Sequence, residues 1–119
     1  MVFSEVLQDV AKRLEGGVGI VVMGMDGIPI ERMALEDGFN FEMLATECTS
    51  ILRTTRQAAE DGGAGEFREL IVMTEGLTIL VATITPDYVL LAAVRQDTPY
   101  GRARFYLKRA ALKLEKEFA

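Results

Sequence analysis

The sequence predicts an α/β/α sandwich, a mixed α/β (α+β) fold in which helices cover both faces of a five-stranded antiparallel sheet, in the order α-β-β-α-β-β-β-α. Two observations predict it. Segments with apolar residues at helical spacing alternate with short apolar runs rich in Val and Ile, which are typical of strands. Two of these runs, 79–82 and 89–94, are apolar at every position. A sheet containing such strands must be covered on both faces.

The first helix is predicted over residues 4–14, where apolar residues recur at helical spacing between polar ones. Ser4 is the expected N-cap, because its hydroxyl can accept a hydrogen bond from a backbone N–H of the first turn. The pair Gly16 and Gly17 is expected to end the helix.

A hairpin is predicted next. The apolar run 18–25 predicts a strand, and Asp26-Gly27 suits the positive backbone angles of a tight turn into a second strand at 28–32. Pro29 has no N–H to donate to a sheet ladder. The second strand is therefore expected at an edge of the sheet.

A long second helix is predicted from Asn40 to about residue 60. Asn40 is the expected N-cap, with Phe39 and Leu44 as a hydrophobic staple around it. The glycine-rich segment 62–65 is expected to end the helix and form a flexible connection. The apolar stripe of the helix consists of Phe41, Leu44, Ala45, Cys48, Ile51, Leu52, Ala58 and Ala59.

Three more strands and a helix complete the pattern. Strand-like runs at 66–74, 77–85 and 88–95 are separated by turns short enough for hairpins, so an antiparallel meander is expected. Thr98 before Pro99 predicts the start of the last helix, since Pro is favoured in the first helical position.

Length and composition predict one domain over residues 1–119. Half of the residues are hydrophobic, too many for a disordered chain, and the formal net charge of −5 argues against a nucleic-acid surface.

There is no His, and Cys48 is the single Cys. Ser–His or Cys–His catalysis and a thiolate metal site are therefore excluded. No catalytic, cofactor or metal site is expected, and the lack of a signal peptide or membrane span predicts a cytoplasmic protein without direct membrane insertion.

The predicted layers leave part of the sheet uncovered. The simplest arrangement places the terminal helices on one face and the middle helix on the other. One helix covers about 10 Å, whereas five strands at about 4.8 Å span roughly twice that width. Self-association through the middle helix and the edge strand 66–74 would complete this face, because the opposite edge carries Pro29. A homodimer is therefore expected.

The order of elements resembles the Roadblock/LC7 family over residues 3–118. The resemblance rests on the Gly17-Val18-Gly19 entry into an apolar strand, the Asp26-Gly27 turn, and the glycine-rich break before three strands and a final helix. It implies a profilin-like domain that dimerises by antiparallel pairing of third strands and packing of second helices. The interface residues expected on these two elements are Leu44, Cys48, Ile51, Leu52, Phe67, Leu70 and Val72.

The resemblance also implies a function. Family members are non-enzymatic dimeric platforms, including dynein light chains, lysosomal scaffolds and bacterial or archaeal regulators of small Ras-like GTPases. The compact chain favours the bacterial branch. We therefore expect a scaffold, either a homodimer or a heterodimer with a related Roadblock chain, that binds a small Ras-like GTPase and modulates its nucleotide cycle.

Arg53, Arg56 and Glu60 are the candidate partner-binding residues. They are expected on the exposed face of the second helix, where the resemblance places the GTPase. The alternative interpretation is an ordinary surface helix with an ion pair between Arg56 and Glu60, four residues apart.

Other charged and glycine-rich segments favour structural interpretations. Neither glycine-rich stretch is followed by the Lys-Ser or Lys-Thr of a phosphate-binding loop. Glu66, Glu69 and Glu75 are interpreted as solvated edge charges rather than a metal cluster. Arg102 and Arg104 oppose the dipole at the start of the last helix, which hints at binding, although solvated charges are favoured.

Two alternative functions remain open, a PAS-like or profilin-like small-molecule sensor and a general protein-interaction module. A sensor pocket needs a few convergent polar groups in an apolar cavity. The core-facing strands offer mainly Thr78, Thr83 and Thr85.

Overall fold

Three helices and five strands follow one another in the expected order in the computed structural model, which describes residues 2–118. The elements are α1 (Val2–Arg13), β1 (Gly17–Gly24), β2 (Pro29–Ala34), α2 (Phe41–Asp61), β3 (Glu69–Met73), β4 (Leu77–Thr85), β5 (Tyr88–Arg95) and α3 (Gly101–Phe118).

The five strands form one antiparallel sheet in the order β2-β1-β5-β4-β3. The predicted fold class is therefore confirmed. β2, which begins with Pro29, lies at one edge, and β3 lies at the other. The two apolar runs noted in the sequence belong to β4 and β5, both of which have a strand on each side.

The core consists of two layers on opposite faces of the sheet. Successive side chains of a strand point to opposite faces, and β5 shows this clearly. Leu90 packs in the layer that α1 and α3 cover, whereas Leu91 packs in the layer that α2 covers. Both leucines are fully buried. The terminal helices thus share one face, and the middle helix covers the other, as expected.

Both terminal helices begin at different residues from those predicted. α1 already includes Ser4, so the prediction of Ser4 as N-cap is wrong. The helix instead begins at Val2, and the ring of Phe3 stacks on that of Phe118, with centroids 5.1 Å apart. α3 begins at Gly101 rather than Pro99, because the N–H of Thr98 donates to Arg95 O in a preceding turn.

The strand bounds also differ from the prediction at the two sheet edges. β2 runs to Ala34, two residues beyond the predicted end, and β3 covers only Glu69–Met73 of the predicted 66–74. The first residues of that run instead follow the glycine-rich connection outside the ladder, although Arg68 O still accepts a hydrogen bond from Thr83 N at 3.0 Å.

The start of α2 agrees with the prediction. Asn40 Oδ1 accepts a hydrogen bond from Met43 N at 3.1 Å and so caps the helix. At the other end, Gly62 N donates to Ala58 O at 2.9 Å. The ring of Phe39, the predicted staple residue, lies against the β3–β4 turn, where a Cβ at Gly76 would be 3.3 Å from Phe39 Cε1.

Gly19 allows α2 to approach β1. A Cβ at this position would lie 2.6 Å from Cδ2 of Phe41, the first residue of α2. We expect Gly19→Ala to destabilise the protein by about 2 kcal/mol, because the ring of Phe41 and the first turn of α2 must move outward. Urea unfolding monitored by circular dichroism measures this change.

The matched control is Gly101→Ala, where a Cβ meets nothing within 4 Å. It should raise the free energy of unfolding by about 0.5 kcal/mol, since alanine lowers the entropy of the unfolded chain. Equal effects of the two substitutions would show that close packing at Gly19 is not required.

Candidate protein-interaction site

Two of the seven predicted interface residues lie on the face of α2 that packs against the sheet. Cys48 and Leu52 have exposed fractions of only 5% and 0%, and both pack in the core beneath α2. The expectation that these two side chains lie at a dimer interface is corrected accordingly, because the single chain already buries them. Burial also raises the pKa of the Cys48 thiol, with a smaller contribution from Glu47.

The two flanks of α2 differ in chemistry. Arg32 of β2 binds Glu42 at 2.9 Å, so the flank of α2 that carries Glu42 faces β2. Leu44 lies two residues further on, about 200° around the helix, and therefore faces the β3 side. Ile51, two turns after Leu44, shares this flank and is 48% exposed.

The edge strand β3 continues this apolar flank. Leu70 and Val72 pack against the α2-side core and remain partly exposed, as does Phe67 just before the strand. Within residues 2–118 no strand pairs with the outer edge of β3. We call the surface made by Leu44, Ile51, Phe67, Leu70 and Val72 the α2–β3 surface. It contains five of the seven predicted interface residues.

Three exposed apolar side chains on α2 and β3 were not among the predicted interface residues. Met43 on α2 and Met73 on β3 are 55% and 58% exposed, and Ile71 is also exposed. Ile71 and Met73 follow Glu69 on the face of β3 directed toward α3, because side chains alternate along the strand. The alternation of β3 could have identified these two residues, whereas Met43 lies outside the apolar stripe of its helix.

Arg53 and Arg56 hold two turns against α2. Arg53 Nη1 donates to Met25 O at 2.5 Å, and Arg56 Nη1 donates to Pro86 O at 2.5 Å. The two turns are also joined to each other, since Met25 N donates to Asp87 O at 2.8 Å. The predicted alternative, an Arg56–Glu60 ion pair, is wrong for the described part of the chain, where Arg56 instead contacts a backbone carbonyl. Glu60 is exposed nearby.

Glu69 is not a solvated edge charge. Its carboxylate receives hydrogen bonds from Arg104 at 2.5 and 3.1 Å and lies 3.3 Å from Lys108 Nζ. The hydrogen bond from Arg104 is the main reason why the pKa of Glu69 is lowered, and Lys108 adds to the effect against partial desolvation. The predictions for Glu69 and Arg104 are corrected together, because each is the partner of the other.

An open groove of about 800 Å³ lies where β3 begins, between the end of α2 and α3. Its lining includes Arg56, Phe67, Thr83, Thr85 and Leu112. The hydroxyl of Thr83 donates to Arg68 O at 3.2 Å, and that of Thr85 accepts from Asp87 N at 3.2 Å. Two of the three threonines that could have served a sensor pocket are therefore hydrogen-bonded to backbone atoms of other residues.

Within residues 2–118, no group of three or more Cys, Asp or Glu side chains is placed to hold a metal ion. None of the helices described is long and apolar enough to cross a membrane.

The sequence profile of the Roadblock/LC7 domain matches residues 3–94, about three quarters of the chain. The chain belongs to the Roadblock/LC7 family. The match extends from α1 to the end of β5 and therefore contains both parts of the α2–β3 surface. No match was found among curated protein sequences.

Solved Roadblock/LC7 and profilin structures resemble this domain. MglC from Myxococcus xanthus is 28% identical, with a TM-score of 0.71, and the match covers 98% of this chain and 99% of that one. The gliding protein MglB from Thermus thermophilus is 20% identical, with a TM-score of 0.84 and coverage of 98% and 89%. Profilin II from Acanthamoeba castellanii is 12% identical, with a TM-score of 0.61 and coverage of 92% and 96%. The last two similarities establish the shared fold.

The pairing of Glu69 with α3 predicts a pH-dependent contribution to stability. The pKa of Glu69 is lowered in the folded state, so its carboxylate stabilises the fold above the ordinary Glu pKa of about 4.3. This stabilisation is lost as the pH falls through the lower, folded value. We expect Glu69→Gln to lower the free energy of unfolding at pH 7 and the difference from wild type to shrink below about pH 4.

Urea unfolding at several pH values measures this difference. Glu75→Gln is the matched control, since Glu75 is exposed and forms no ion pair within the described residues. A deficit for Glu69→Gln that is the same at pH 7 and pH 3 would contradict the assignment.

Proposed function

We propose that this Roadblock/LC7 domain is a non-enzymatic dimeric scaffold that binds a small Ras-like GTPase and modulates its nucleotide cycle. The observation that supports this proposal best is the α2–β3 surface, where an apolar helix flank adjoins an unpaired strand edge. An exposed strand edge beside apolar side chains favours association with another chain.

A second copy of the chain matches both halves of this surface. Antiparallel pairing of two β3 strands would satisfy the backbone N–H and C=O groups along their outer edges. The same two-fold arrangement would bring two α2 helices side by side, so that Ile51 and Leu44 lose contact with water. Since the interface would use the same patch on both chains, a closed dimer is the expected product.

The GTPase is proposed to bind on the α2 side of this dimer, near Arg53, Arg56 and Glu60. The two arginines already donate to the carbonyls of Met25 and Pro86. Their proposed role is therefore to fix the β1–β2 and β4–β5 turns in the shape that the GTPase contacts, while exposed Glu60 contacts it directly. Modulation would then work by holding the mobile loops of the GTPase rather than by inserting an arginine into its nucleotide site.

The proposed dimer is tested with Ile51→Glu. Ile51 is 48% exposed, so a single chain can tolerate a charged side chain there, whereas a dimer would bury it without a partner. Wild type should sediment at twice the 13.1 kDa mass of one chain at micromolar concentration, and the variant should sediment as a single chain.

Ile28→Glu is the control for this experiment. Ile28 is 63% exposed on the β1–β2 turn, away from the α2–β3 surface, and the variant should sediment like wild type. A wild-type protein that sediments only at 13.1 kDa would rule out the dimer.

The proposed GTPase site is tested by calorimetry with a small Ras-like GTPase encoded in the same genome, loaded with GDP or with a non-hydrolysable GTP analogue. The double variant Arg53→Ala/Arg56→Ala should bind about tenfold more weakly than wild type, because two turns lose their anchoring hydrogen bonds. Its sedimentation should be unchanged.

Arg13→Ala is the control, since Arg13 is an exposed arginine on α1, on the other face of the sheet. It should bind the GTPase like wild type. Equal affinity of the double variant and wild type would remove Arg53 and Arg56 from the site, and no binding in either nucleotide state would contradict the proposed function.

A further inference from the structure

Charge is distributed unevenly between α3 and the rest of the chain. α3 contains six basic and two acidic residues, a formal net charge of +4, although the whole chain carries −5. The other residues together therefore carry −9. α1 contributes no net charge beside α3, with two acidic and two basic residues. The basic residues of α3 are Arg102, Arg104, Lys108, Arg109, Lys113 and Lys116.

Two large apolar side chains protrude from this basic helix. Phe105 and Leu112 are 60% and 66% exposed. They are seven residues apart, so they lie two turns apart on one stripe of the helix. Their stripe points away from the sheet, because the residues that α3 buries, such as Leu107 and Leu114, lie on its other side.

The basic residues flank this apolar stripe on both sides. Arg104 and Lys108, on the side toward β3, are held by Glu69. On the side toward α1, the Arg109 guanidinium lies 5.7 Å from the centroid of the Phe105 ring. Within residues 2–118, none of Arg102, Arg109, Lys113 and Lys116 forms an ion pair with a carboxylate. Glu115 and Glu117 are the acidic residues of α3 and lie near its C-terminal end.

We propose that the outer surface of α3 binds an anionic lipid bilayer peripherally. Basic side chains near a membrane surface are attracted to anionic headgroups, and protruding Phe and Leu side chains enter the boundary between headgroups and acyl chains. Phe105 and Leu112 supply this apolar contact, while Arg102, Arg109 and Lys113 contact the lipid phosphates. The helix lies along the bilayer surface and does not cross it.

The shape and charge of the surface favour a bilayer over an acidic protein segment. The open groove beside β3 reaches Leu112 but not Phe105, whereas a peptide bound along the stripe would need a groove that contains both side chains. α1 packs beside α3, so two helices make up this face of the domain. The residues outside α3 carry a net charge of −9 and are repelled by anionic lipid. The molecule is therefore oriented with α3 toward the membrane. This proposal does not depend on dimerisation or on GTPase binding.

Flotation with lipid vesicles tests the proposal. The 119-residue chain should float with vesicles of phosphatidylcholine containing about 30% phosphatidylglycerol, and not with pure phosphatidylcholine. Binding should fall steeply when the salt concentration is raised to about 0.5 M, because screening weakens the attraction of the basic side chains. Phe105→Ala/Leu112→Ala should bind about tenfold more weakly than wild type. Both side chains are exposed, and circular dichroism should show an unchanged fold.

Two control variants carry equivalent changes on other surfaces. Ile28→Ala removes an exposed apolar side chain from the β1–β2 turn, and Arg32→Gln removes an exposed arginine that binds Glu42 on the α2 face. Both should float like wild type, whereas Arg102→Gln/Lys113→Gln should float less. Equal loss in the control variants, or equal binding to neutral and anionic vesicles, would overturn the proposal.

A fluorescent reporter tests which residue enters the bilayer. The chain has no Trp, so Phe105→Trp provides a single tryptophan. Its emission should shift to shorter wavelength with the anionic vesicles, while Ile28→Trp should not shift. A shift in neither variant would overturn insertion at Phe105.

Binding of heparin with the same affinity as the vesicles would show attraction to any polyanion and would overturn the assignment to lipid.

Discussion

The central constraint on this structure is that β5 must be kept away from water on both faces. Val89 to Val94 are fully buried, with three side chains directed toward α1 and α3 and three toward α2. No arrangement with helices on one face alone could accommodate such a strand. The order of the sheet follows from the same requirement, since β5 lies at its centre and the strands with half-exposed patterns, β2 and β3, lie at its edges.

Several charged residues connect one layer or turn of the structure to another. Arg32 and Glu42 join β2 to α2, Glu69 joins β3 to α3, and Arg53 and Arg56 join α2 to two turns. Individual exposed pairs contribute little to stability. Their consequence is geometric, because each fixes the position of a helix or a turn relative to the sheet edge. Substitution of these residues therefore changes the shape of the surfaces beside them more than it changes the core.

The sequence predicted the parts of the fold that depend on periodicity and turn chemistry. Both edge strands, the Asn40 cap and the separation of α1 and α3 from α2 follow from local patterns and from the need to bury both faces. The start of α1 could not be predicted in this way, because it depends on the ring of Phe3 meeting Phe118 across the fold. The first residue of α3 likewise depends on a turn that precedes it.

The candidate site was harder to predict than the fold. Helical spacing placed Cys48 and Leu52 in the same apolar stripe as Ile51, and only the position of the sheet shows that the first two are beneath α2 while Ile51 is on its flank. No local pattern indicated that Arg53 and Arg56 bind carbonyls about thirty residues away. Contacts between residues distant in sequence decide which side chains remain available to a partner.

The pairing of α1 with α3 has a consequence for the order of folding during synthesis. α1 is translated before the sheet, yet its partners in the core, Leu107 and Leu114, follow all five strands in the chain. The α2 layer can assemble once β5 has emerged, whereas the other face of the sheet stays uncovered until α3 is complete. A nascent chain that has folded only halfway therefore exposes Leu80 and Leu90, and this state is the one most in need of a chaperone.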